Sequence, residues 1–340
     1  MHMLAARRLS AAAVGATSVL EARRRDAACC PKLGITLLAK RRLTLGSLEG
    51  EVVVLERQQG NGAPLVRVPL KRMVEDLAHP RIRMVFFGET HDDPVAQAVE
   101  REVYAGVARR KPLALALEFV DGDARAAAAS YSSGERDDVE ALFRGPGDAA
   151  RYGPLAELAR GAGNAIVAAL APRRHAKLVA AEGPAALETL PAADVELLPP
   201  LPYASKPLSP QYAAALKPFG FSEQKIAAQC LWDASMAHAC LATLAADPEL
   251  AVMLVCGKFH VQHFLGVVDH VEHLTGDGGA FESTVSCDRD EWRVVVCLPL
   301  DEGEFARLRD ETDVAGTLED PSLDTVADFV VVTKAPRRRS

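Results

Sequence analysis

Aromatic residues make up only 5% of this 340-residue chain, with two tryptophans, so small aliphatic side chains must build its core. No run approaches the 18 uninterrupted apolar residues of a transmembrane helix. The seven cysteines, at 29, 30, 230, 240, 256, 287 and 297, are odd in number and form no C-x-x-C pair. That pattern excludes a disulfide framework and a zinc–thiolate site, and reads as reduced, buried thiols. Nor does the chain carry G-x-G-x-x-G after a strand, a Walker A loop, a G-x-S-x-G elbow or H-E-x-x-H. Dinucleotide, P-loop, α/β-hydrolase and zincin chemistries therefore lack their signatures. Positive charge is short as well, with 39 basic residues against 46 acidic. Nine of those bases fall within residues 1–45, against two acids, which leaves 30 bases against 44 acids in the remainder. An acidic body cannot neutralise phosphates, so nucleic acid is not an expected partner.

What is present is ordinary globular material, 49% hydrophobic and 25% charged. The basic, Ala-rich, acid-poor start at 1–45 has the composition of an organelle transit peptide. That reading predicts a mitochondrial or plastid address; a disordered arm on a cytoplasmic protein is its alternative. A single domain is expected over 46–334, followed by a basic tail at 335–340. Short apolar runs at Glu51–Glu56, Met84–Phe87, Leu113–Leu117, Ala165–Leu170 and Ala251–Cys256 read as strands, with late strands at Phe281–Ser286, Arg293–Leu298 and Asp328–Val332. Helices are predicted at Pro69–Leu77, after the Asp93–Pro94 cap, at Lys177–Ala186 and at Ser222–Ala246. The alternation predicts an α/β fold: a mostly parallel central sheet covered by helices on both faces. Pro184 to Pro218 holds eight of the 21 prolines and is expected as an irregular excursion, an insertion or a lid.

Three of the apolar runs end directly in polar groups. MVFF leads into Gly88-Glu89-Thr90-His91, LALAL into Glu118, and AVMLVC into Gly257-Lys258-Phe259-His260. Ligands of an open parallel sheet sit beyond the carboxyl ends of its strands. If the three strands are neighbours, Glu89, His91, Glu118 and His260 converge there, the glycines letting the chain turn off the sheet. The glutamates are candidate catalytic groups and the histidines candidate ligands for zinc, manganese or iron; acid–base chemistry without metal is the alternative. Asp233 on the long helix is expected to orient a site histidine, and Lys258 to meet a glutamate or an anionic ligand. Arg173 and Arg174 are candidate contacts for an anionic ligand, or simply solvent-exposed. His263, His270 and His273 are expected along one amphipathic helix as ordinary polar residues.

The order MVFFGETHDDP, LALALEF, RYGPLAELAR, APRRHAKLVAAEG, QCLWDASMAHA, LVCGKFHVQHFLG, ADFVVVT resembles the ChaN-like family of haem-binding uptake proteins. That family shares a superfamily with Tiki proteases and erythromycin esterases. The resemblance implies haem or another tetrapyrrole as the small-molecule ligand, a role in haem or iron handling, and a possible homodimer. It also implies paired Gly-x-x-His motifs with glutamates, which fall on Gly88, Glu89, His91, Glu118, Gly257 and His260. The family's haem ligand is a tyrosine; Tyr152 and Tyr203 are candidates by location. Hydrolase relatives imply an alternative, a metal-dependent hydrolase using the same Glu/His cluster.

Overall fold

The computed structural model describes residues 48, 50–58, 65–310 and 325–335. The basic arm at 1–45, with Cys29 and Cys30, and the last five residues lie outside the described residues.

Eight strands form one sheet: β1 (Val52–Arg57), β2 (Leu65–Val68), β3 (Met84–Glu89), β4 (Leu113–Asp121), β5 (Ile166–Leu170), β6 (Ala251–Gly257), β7 (Trp292–Leu300) and β8 (Phe329–Lys334). Their order is β2-β1-β8-β7-β3-β6-β4-β5. The six strands from β8 to β5 pair in parallel, and β1 and β2 add an antiparallel edge. All six residues of β3 and all seven of β6 are buried, as central strands covered on both faces require.

Successive strand residues face opposite ways, which divides the core. Phe87, Leu115, Leu117 and Val295 pack on one face against α1 (Leu70–Leu77), α2 (Pro94–Ala108), α3 (Arg125–Ser133) and α4 (Pro146–Gly161). Phe86, Ala116, Val252 and Leu254 pack on the other, against the later helices. The later helices include α5 (Arg173–Glu182), the single turn α6 (Ala192–Val195) and α7 (Pro210–Leu216), with α5 packing in a separate cluster against the long helix that follows. That face is covered by the long α8 (Glu223–Ala246), α9 (Val267–Thr275) and α10 (Glu302–Asp310).

Local chemistry sets several boundaries. Asp93 Oδ1 accepts from the Val95 and Ala96 amides at 2.9 and 3.2 Å, with Pro94 in the first turn, so α2 starts where the sequence predicts. Ser222 Oγ accepts from the Lys225 amide at 3.3 Å and opens α8. The excursion at 184–218 is not wholly irregular: Pro210 opens α7, where a missing N–H costs nothing. Leu187 and Leu198 tie the excursion to α5 and α8.

Other expectations need correction. Phe281–Ser286 is a series of turns rather than a strand, its buried anchors Phe281 and Val285 packing under α8 and α9. The helix read at Lys177–Ala186 begins earlier, at Arg173, and stops at Glu182 before Gly183 and Pro184. His263 does not join His270 and His273 on α9. It sits before the helix with φ 60°, and His270 is buried rather than solvated. Among the described residues no helix is long and apolar enough to cross a membrane.

Candidate functional site

β3, β6 and β4 are consecutive in the sheet, so the three polar strand ends meet. Glu89 pairs in register with Gly257, and Leu117 with Val255. The glycines serve close approach rather than turning. A Cβ on Gly257 would stand 2.9 Å from His91 Cε1 and 3.1 Å from Nε2; one on Gly88 would stand 2.8 Å from Lys258 Cα. The His91 ring and the Lys258 backbone thus occupy space that any side chain would fill.

Glu118 was expected to end its strand, yet β4 runs on to Asp121. The strand is bulged there: Leu117 pairs with Ala168, but the next pairing on β5 is Asp121 with Leu170. The bulge frees Glu118 from the ladder and re-aims its side chain across β6. Glu118 Oε2 accepts the Gly257 amide at 2.7 Å, and Oε1 lies 3.7 Å from His260 Nε2.

Two carboxylate–histidine pairs flank Glu118. On one side His91 Nδ1 donates to Glu89 Oε1 at 2.7 Å, and the Tyr152 hydroxyl donates to the same oxygen at 2.5 Å. Glu89 is fully buried, whereas the His91 side chain is 50% exposed and opens the site to solvent. On the other side His260 Nδ1 donates to Asp233 Oδ1 at 2.6 Å, with the Gln229 amide 3.1 Å from the same nitrogen. Asp233 Oδ2 accepts from Tyr212 Oη at 2.6 Å. Each Nδ1 therefore carries hydrogen toward a carboxylate, and His260 Nε2 is left facing Glu118.

Charge follows this geometry. The Glu89 hydrogen bond lifts the His91 imidazole above its usual range, with burial opposing. Burial pulls His260 down, but Glu118 and Asp233 outweigh it and lift it to about 9. At neutral pH His260 is an imidazolium between two carboxylates.

Of the other sequence candidates, Lys258 is half-buried, its pKa lowered by burial, and it forms no ion pair among the described residues. Arg173 and Arg174 lie beyond β5, the edge strand, with β4 between them and the cluster. The Arg174 guanidinium is taken up by Asp123 and Asp194. Arg173 is exposed at the same helix start, away from the Glu/His cluster. Neither candidate tyrosine offers a free hydroxyl. Tyr152 is buried on Glu89 and stacked on Phe119 at 3.6 Å between ring centroids, and half-buried Tyr203 donates to the Ala227 carbonyl at 2.9 Å. The remaining tyrosines, 104, 131 and 212, are engaged with Leu113, Arg160 and Asp233.

Tyr212 and Gln229 belong to the site's support and were not singled out for it in the sequence. Tyr212 stands inside the proline-rich excursion, where nothing in the spacing marks it as a neighbour of Asp233. Among the described residues no three His, Cys, Asp or Glu side chains converge as a metal ion would require. Glu89, Asp233 and the Gly257 amide already occupy the atoms that would turn inward.

Beside the cluster the surface is aromatic. Phe219 and Phe221 are exposed and stack at 5.3 Å, and Phe219 meets Phe259 edge-on at 5.1 Å. Phe259 belongs to the same Gly257–His260 segment against which His91 packs.

Comparison with known proteins is consistent with this architecture. The family described as haem-binding uptake, Tiki superfamily, ChaN matches residues 73–271. A solved structure of cofacial haem binding to ChaN of Campylobacter jejuni has a TM-score of 0.55 at 12% identity, covering 84% of this chain and 98% of that one. At that identity the likeness shows the shared fold. No curated protein matches the chain.

Proposed function

Because the chain belongs to the ChaN family of haem-binding uptake proteins in the Tiki superfamily, we propose that it binds haem at the mouth formed by β3, β6 and β4. The observation that carries this reading is His91: a half-exposed imidazole at the mouth, its Nδ1 held by a buried glutamate. The residues present suit a porphyrin. Phe219 and Phe221 offer a stacked, exposed apolar surface with Phe259 against its edge, and exposed Lys217 and Lys225 flank those rings in sequence as partners for propionates. Haem would supply an iron that takes one imidazole nitrogen. The five tyrosine hydroxyls are all engaged, so His91 rather than Tyr152 or Tyr203 is assigned as the iron ligand.

The test is a hemin titration of the full chain followed in the Soret region. Saturable one-site binding that weakens at least tenfold in His91→Ala, and is unchanged in Tyr152→Phe and Tyr203→Phe, supports the reading. Non-saturating absorbance overturns it, and loss of binding in a tyrosine variant alone overturns the ligand assignment.

One observation favours a second reading, hydrolysis. Tyr212, Asp233 and His260 form a hydrogen-bonded chain whose imidazolium faces Glu118 at 3.7 Å, an arrangement suited to delivering a proton to a leaving group. Glu118, partly open to the mouth, would activate water. Screening ester, amide and peptide substrates against wild type and Glu118→Ala tests it: turnover unchanged by the substitution sinks this reading.

A further inference from the structure

The carboxylates of the mouth already have their donors. Glu89 accepts from His91 and Tyr152, Asp233 from His260 and Tyr212, and Glu118 from the Gly257 amide. Lys258 stands among them without a counter-charge. Among the described residues its amine makes no ion pair and no hydrogen bond. The residue is half-buried, and its amine nitrogen keeps contact with solvent.

The backbone pins this lysine at the mouth. Glu89 pairs with Gly257 and Gly88 with Cys256, so the two glycines lie side by side on β3 and β6. A Cβ on Gly88 would stand 2.8 Å from Lys258 Cα and 3.2 Å from Lys258 Cβ, and one on Gly257 would stand 2.9 Å from the His91 ring. Successive α-carbons are about 3.8 Å apart, so the lysine stem starts one residue from the surface on which His91 lies. A flexible four-carbon stem carries its charge out from there.

We propose that Lys258 is the specificity-determining residue for a carboxylate-bearing ligand: its amine receives one propionate of the porphyrin whose iron meets His91.

The inference rests on the haem reading and adds that an acid group of the ligand is recognised inside the mouth. Other cations nearby suit the task less well. Arg151 reaches the His91 loop but is paired with Asp92 at 2.7 Å and Asp148 at 3.8 Å. Lys217 and Lys225 are exposed, and pairs between solvated charges gain little. A half-buried ammonium without a partner has lost part of its hydration, so an arriving carboxylate replaces water with a charge-assisted hydrogen bond. An esterified carboxyl cannot supply that negative charge.

The test compares free acids with esters. Hemin, iron-free protoporphyrin IX and the dimethyl ester of each are titrated into the full chain, followed by Soret absorbance or porphyrin fluorescence. Wild type is expected to hold each acid at least about tenfold more tightly than its ester. Lys258→Gln should lose about tenfold for both acids and leave both esters as in wild type, and Lys258→Arg should keep most of the preference. His91→Ala should weaken the iron compounds while the acid-over-ester preference of the iron-free pair persists. Unchanged acid affinity in Lys258→Gln overturns the proposal, and so does an equal loss for acids and esters, which marks a structural role. Saturable hemin binding in wild type with no preference over the ester sinks the lysine assignment alone. Non-saturating responses to hemin and protoporphyrin in wild type take down the haem reading and this proposal with it.

Discussion

At the scale of single residues, the site depends on who holds each nitrogen and who vacates space for it. Asp233 supplies much of the charge that keeps His260 protonated. Replacing it with asparagine retains the shape but removes the negative charge, leaving burial to dominate. The Asp233→Asn protein should show the His260 imidazole, followed by NMR, falling from about 9 toward or below its ordinary value. Gly257 makes the complementary contribution by lacking a side chain. Gly257→Ala puts a methyl 2.9 Å from the His91 ring, so the imidazole must swing off its place. The expected result is at least a tenfold loss of hemin affinity with a melting temperature within a few degrees of wild type. Undiminished hemin affinity would show that His91's placement does not matter.

At the scale of elements, the cap of α2 ties helix to sheet. Asp93 Oδ1 closes the first turn while Oδ2 accepts from Thr333 on β8, and the carboxylate is wholly buried. Asp93→Ala removes the cap and leaves the Thr333 hydroxyl and two amides without a partner. It should cost about 2–4 kcal/mol in urea denaturation, above the ~1 kcal/mol of an exposed cap. Thr333→Val, which keeps the cap, should cost less. The α2 start was legible in the sequence because Asp-Pro before a four-residue valine spacing is a local signal. The continuation of β4 past Glu118 was not, since the bulge answers to its pairing with β5. Phe281–Ser286 misled for the opposite reason: apolar residues beside Ser and Thr look like an edge strand, but among the described residues no neighbouring strand completes it.

At the scale of the whole molecule, burial of neutral histidines sets acid stability. His270 lies under α8 and Asp233, and burial drops its pKa to about 4; His238 is lowered to about 4 in the same way. A lowered folded pKa means that the unfolded chain binds protons first as pH falls. Stability is therefore fully present above about 6.5 and is lost progressively between about 6.5 and 4, by roughly 3 kcal/mol for each such histidine. Denaturation midpoints measured from pH 7 to pH 4.5 should fall, and fall less in His270→Gln; a pH-independent difference between the two proteins would contradict this assignment.

The sequence by itself determined the alternation of buried runs with helices, hence a largely parallel sheet. It also placed Glu89, His91, Glu118 and His260 directly after strands, because strand ends and glycine punctuation are local properties of the chain. Asp233 was legible too, as a lone carboxylate among apolar neighbours on a long helix. Tertiary structure alone decided that β6 lies between β3 and β4, which is what makes those four residues neighbours. It decided that Tyr152 supports Glu89 and that Tyr212 reaches Asp233 from the proline-rich excursion. Those contacts join segments tens of residues apart through hydrogen bonds sealed from water. Their partners are chosen by chain crossing and burial, which no spacing in the sequence records.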